Sequence, residues 1–252
     1  MFNTLKAEWT KLTTTKSFWW TTGILFFLVL GGALLQATLT EDNEIGQTFY
    51  TSAVVPGFFH MVGLPVLAIQ AIMVVTTEYR YRLQASTYMA NPKRWQVAIV
   101  KLLLSAAIAA LLSLIAILLG YAIMEWFGPD GLTENFHPFD DHGKRSLRVY
   151  PLAAALLVVF AQGLGLLLRQ TAGTIALTLI FFLGIDGFAS KIPKIGDNTV
   201  NFMPFTAYNN WILEMVPEEA PWGSVAGNLW VFIAWAAVLW ILGVVALQSR
   251  DV

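Results

Sequence analysis

Three stretches of this chain, Phe18 to Leu39, Val97 to Met124 and Val225 to Leu247, are apolar over more than twenty residues and carry between them one formal charge, Lys101. That feature decides the fold class. A helix of about 20 residues crosses some 30 Å of hydrocarbon, which offers the backbone no hydrogen-bond partner outside its own segment. Composition agrees: 57% of the 252 residues are apolar and 12% charged, against roughly 45–50% and about 25% in soluble domains. A water-soluble fold of this length could not cover so much apolar surface.

Three further stretches meet the test or come near it. The one near 56–77 contains Pro56, Gly57, Gly63 and Pro65 and is expected to enter bent or broken. Those at 152–168 and 172–188 are separated only by Arg169, Gln170 and Thr171 and read as a tight helical hairpin. The expectation is an all-α polytopic protein: a single transmembrane domain over 1–252 with six spans near 18–39, 56–77, 97–124, 152–168, 172–188 and 225–247. A loop over 78–96 and a longer one over 189–224 complete it.

Lysine and arginine favour cytoplasmic loops. With the N-terminus inside, the inner segments hold ten basic residues and three acidic ones, while the outer segments hold five basic residues and thirteen acids. The predicted orientation therefore has both termini in the cytoplasm and 78–96 inside. Three lysines spread over sixteen residues before a long apolar block argue against a cleaved signal peptide. In 1–17, Phe2, Leu5, Trp9 and Leu12 recur at helical spacing, which predicts an amphipathic helix in the membrane interface, tryptophan at headgroup depth and lysines toward anionic lipid. Nothing in the charge pattern suggests nucleic acid.

The inner loop carries the most information. Asn91-Pro92 is a helix start, since asparagine caps free amides and proline suits the first helical position. Trp95 follows at the interface, with Lys93, Arg94 and Lys101 near the surface. Upstream, the segment from Tyr79 is rich in tyrosine and arginine, types enriched at protein interfaces. The order Glu78-Tyr79-Arg80, then Pro92 and Arg94, then Lys101 resembles the loop of ABC-2 type permeases, the membrane subunits of ATP-driven exporters. Ser17-Phe-Trp-Trp20, the Gly165 to Arg169 turn and the final Arg250-Asp-Val extend the likeness along the chain. It is most similar to small actinobacterial members of that family.

The resemblance implies a coupling helix in this loop docked on a separate ATPase subunit through Glu78, Tyr79, Arg80, Arg82, Tyr88, Pro92 and Arg94. It implies a second permease chain, identical or related, and short helices within 189–224 that partly re-enter the membrane. The family's glycine-threonine pair is replaced here by Arg82-Leu83. ATP and magnesium would bind the partner, because no Gly-x-x-x-x-Gly-Lys-Ser/Thr string occurs in this chain.

Other chemistry is sparse. Without cysteine there are no disulfides, thiolate metal sites or cysteine nucleophiles. The predicted spans hold one histidine, His60, and the acids Glu78, Glu125 and Asp186 stand at span ends. That is unlike an intramembrane protease or an ion-coupled carrier. Candidates for a translocation path are Phe26, Phe27, Gln36, Gln70, Phe181, Phe182 and Asn228. In the outer loop His137, Asp140, Asp141 and His142 offer metal-ligand types, with a solvated turn as the alternative. The expected function is a permease subunit that exports an amphipathic or lipophilic compound. The alternative is a membrane enzyme or channel without an ATPase.

Overall fold

The computed structural model describes residues 2–80, 93–134, 136–186, 188, 199–217 and 220–249, and among these every regular element is helical. Helix α1 is Phe2–Thr14, α2 Lys16–Leu39 and α3 Glu44–Phe49. Next, α4 (Val54–Phe58), one π turn (Phe59–Gly63) and α5 (Leu64–Arg80) form a continuous run. Then follow α6 (Arg94–Phe127), α7 (Asp130–Thr133), α8 (Asp141–Leu168), α9 (Thr171–Phe182), α10 (Pro204–Ile212) and α11 (Val225–Ser249).

Among the described residues, five helical runs are long and apolar enough to cross a membrane: α2, α4 through α5, α6, α8 and α11. Their surroundings say why the apolar content matters. In α11 only 17% of the most apolar window is buried by protein, and in α2 only 22%. A helix apolar on all sides and uncovered by protein needs a hydrocarbon solvent.

The expected bend in the second span takes the form of the π turn, where the α-helical ladder widens between Pro56 and Pro65. The two helices expected on either side of Arg169 and Gln170 are present, with a difference at each far end. Helix α8 begins at Asp141, not near 152, and carries Pro151 in its interior. Asp140 explains the early start: its Oδ1 accepts from the Gly143 amide at 2.6 Å, satisfying a donor the first turn leaves free. Helix α9 ends at Phe182, six residues before the expected 188, and Gly184 takes a left-handed φ of 91°, the usual glycine termination. Its 12 residues rise about 18 Å, too little to cross alone.

Beyond α9, Asp186 caps α10. Its Oδ2 accepts from the amides of Phe205 (2.6 Å) and Thr206 (3.1 Å) at the start of α10. Tyr208 and Phe205 pack on Phe232 of α11 with ring centres 4.4 and 5.9 Å apart, and the Trp235 indole donates to the Phe202 carbonyl at 2.8 Å. Phe232 lies seven residues into α11, about 10 Å along its axis. So α10 lies beside the apolar part of α11 rather than beyond its end.

Backbone contacts divide the chain into two units. One contains Met1–Thr10, Ala71–Ala106 and Leu156–Val252. There the backbone of α8 at Gly163 approaches α11 so closely that a Cβ would collide with the Trp240 amide. The other contains Lys11–Gln70 and Ala107–Ala155. There the Tyr50 hydroxyl donates to the Met124 carbonyl and the Tyr121 hydroxyl to the Ser52 carbonyl, joining the connection between α2 and α4 to α6. Burial pushes the Tyr50 hydroxyl up to about 12.

Candidate functional site

Glu78 stands in the last turn of α5 and Lys101 two turns into α6, so they bracket the loop between these helices. The Lys101 Nζ donates to Glu78 Oε1 at 2.9 Å and also to Glu8 Oε2 of α1. All three side chains are withdrawn from solvent, Lys101 at 7% and Glu8 at 4% exposure. Taking an ion out of water costs several kcal/mol, which only close pairing offsets. Such a cluster adds little net stability over apolar packing, yet penalises any arrangement that separates its members. It fixes α1, α5 and α6 in one register.

In α1, Phe2, Leu5 and Trp9 are exposed, whereas Leu12, the fourth member of the same apolar stripe, is buried together with Glu8. Glu8 is the sole acid in the first forty residues.

Arg169 joins two further elements to the same region. Its φ of 53° puts a non-glycine residue in the left-handed region at the α8–α9 turn, a conformation that disfavours a side chain by roughly 1–2 kcal/mol. The side chain offsets that cost. Its guanidinium stands 5.0 Å over the Tyr79 ring, and Nη2 donates to the Ala246 carbonyl at 3.2 Å. Arg94 Nη1 donates to the neighbouring Leu247 carbonyl at 3.1 Å. Two cations therefore meet the carbonyl end of α11, where the helix dipole favours them. Thr171 Oγ1 bonds Thr76 Oγ1 at 2.8 Å. Beneath these contacts Val75, Ala98, Leu166 and Leu247 form an apolar cluster covered by Tyr79, Trp240 and Val244. Of the expected ATPase contacts, Glu78, Tyr79 and Arg94 are thus engaged within the chain, and Arg80 is exposed at the end of α5. Arg82, Tyr88 and Pro92 lie outside the described residues, as does most of the 78–96 loop.

The expected path residues divide between the units. In one, Phe27 is 77% exposed, Phe26 and Gln36 are partly exposed, and the Gln70 amide donates to Thr21 and Thr22 hydroxyls at 2.9 Å each. In the other, Phe181 stacks on Phe205 with ring centres 6.4 Å apart, and Phe182 packs edge-on against the same ring. Asn228 accepts from the Trp222 indole and donates to the Met215 carbonyl, both at 2.9 Å. Gln70 and Asn228 therefore act as polar ties between elements.

Around His137 to His142, Asp140 is the organising residue. Besides capping α8 it accepts from the Ser52 hydroxyl at 2.9 Å. Burial alone would raise this carboxyl; the Gly143 amide, the Ser52 hydroxyl and the nearby His142 and His137 outweigh it and hold it below the usual carboxylate range. Among the described residues no group of three or more histidine, aspartate or glutamate side chains could hold a metal ion.

The fold defines a class: a multi-pass helical membrane protein. No protein-family model matches the chain, and no curated protein matches it.

Proposed function

We propose that this chain is the membrane subunit of an ATP-driven exporter of the ABC-2 type. It crosses the cytoplasmic membrane six times with both termini inside, and pairs with a second permease chain. A separate ATPase subunit binds ATP and magnesium. The observation that carries the reading is the Glu8–Lys101–Glu78 cluster. A loop that receives force from a motor must not absorb it by bending at its ends. Here each flank of the loop is held by a buried ion pair, and both pairs share one lysine that also holds α1. Motion of the loop is passed to α1, α5 and α6 together. The ordered residues Glu78, Pro92, Arg94 and Lys101 support the family reading, and an apolar interior poor in ionisable groups suits an amphipathic or lipophilic cargo.

The test is recovery of the partner. Purified at native expression level, the chain brings down a protein with a phosphate-binding Walker motif. Arg80→Glu, at an exposed position outside the cluster, lowers that recovery while leaving the chain monodisperse. A chain that purifies alone and keeps full activity without any nucleotide-hydrolysing companion would overturn the proposal.

A further inference from the structure

Where α2 ends, the chain builds an open groove of about 530 Å³, lined among others by Gln36, Thr40, Glu41, Ile45, Phe49 and Val54. It lies wholly within one unit. Two local devices shape it. The Thr40 hydroxyl and amide both donate to the Gln36 carbonyl, closing α2. Asn43 caps α3 by accepting from the Gly46 amide at 2.8 Å, and Gly46 lies so close to the Glu41 carbonyl that a side chain there would collide with it.

The two walls differ in chemistry. Ile45 and Phe49, one turn apart on α3, are 70% and 63% exposed, and Val54 extends their wall. The other wall presents acceptors: the Glu41 carboxylate, the Gln36 amide and the Thr40 hydroxyl. Glu41, Asp42 and Glu44 make no ion pair among the described residues; Glu41 accepts only from Asn43 Nδ2 at 3.3 Å and Asp42 from Gln47 Nε2 at 3.4 Å. No lysine or arginine occurs between Lys16 and Arg80. Gln36 sits one turn inside the apolar run of α2 and Glu41 just beyond it, so the groove straddles the end of that run.

We propose that this groove binds a cationic amphiphile carrying an alkylammonium head. The ammonium lies against Glu41, with Asp42 and Glu44 adding to the negative field, and the chain lies along Ile45, Phe49 and Val54. An anionic head meets three uncompensated carboxylates, and a neutral head leaves the Glu41 carboxylate unpaired. The proposal stands on the groove and is independent of transport.

The test uses the protein in phosphatidylcholine nanodiscs and a dodecylammonium probe carrying a diazirine in its chain. After irradiation, peptide mass spectrometry finds the label concentrated in 36–54 over the lipid-facing residues of α11, and excess dodecylammonium displaces it. Removing one exposed ion pair is worth up to about 1 kcal/mol, so Glu41→Gln lowers the labelling by about fivefold. Phe49→Ala also lowers it, through the apolar wall. A dodecanol probe of the same length shows no enrichment. Labelling spread evenly over α2 and α11, equal enrichment with the neutral probe, or indifference to Glu41→Gln would each overturn the proposal.

Discussion

The most constrained residue is Lys101. Lys101→Met replaces the ammonium by an apolar chain of similar length and leaves two carboxylates buried against each other. Breaking a buried pair from one side costs about 3–5 kcal/mol, because an uncompensated charge remains. Thermal unfolding in micelles should show a large loss for Lys101→Met and a smaller one for Glu8→Gln, which keeps the shape and leaves the Glu78 pair. Equal, negligible effects would mean the cluster is solvated. Half of it was legible in the sequence, since Glu78 and Lys101 flank one loop in a recognisable order. Glu8 was not, because pairing across 93 positions leaves no periodic trace, and a lone acid among lysines reads as a solvated face. Arg169 was hidden for another reason: its left-handed backbone is retained by bonds to Tyr79 and Ala246, partners remote in sequence.

At the scale of elements, apolar run length set the long helices well and their ends less well. Ends are decided by single caps. Asp140 moves the start of α8 outward by eleven positions from the expected 152, through a polar stretch that hydropathy alone leaves in a loop. This cap carries a pH signature. The folded carboxyl titrates below the usual range, so the unfolded chain takes up the proton first as pH falls. The cap's contribution is therefore complete above the ordinary aspartate value of about 3.9 and is lost as pH drops through the lower folded value. Asp140→Ala should lower the unfolding midpoint at neutral pH by the loss of one cap, about 1 kcal/mol. It should also flatten the decline between neutral and acid pH. A decline as steep as in the parent would assign the acid sensitivity to other carboxyls.

At the scale of the whole molecule, the number of crossings turns on parity. Five long apolar helices alone would leave the two ends of the chain on opposite faces. Within one unit, however, the carbonyl end of α11 meets Arg94 and Arg169, Tyr79 meets Arg169, and Glu8 meets Lys101. The end of α5, the start of α6, the α8–α9 turn, the end of α11 and the N-terminal helix all gather together. The proposed six-span topology accounts for that gathering by an outward passage between Thr171 and α11, to which α9 contributes. Because the chain has no cysteine, single substitutions test this directly. With Thr14→Cys, Thr48→Cys, Ser224→Cys and Ser249→Cys, an impermeant maleimide on intact cells should label positions 48 and 224 and reach 14 and 249 only after permeabilisation. Five crossings would put 48 and 224 on opposite faces, and labelling of 14 and 249 in intact cells would reverse the orientation and remove the inner loop from any cytoplasmic motor.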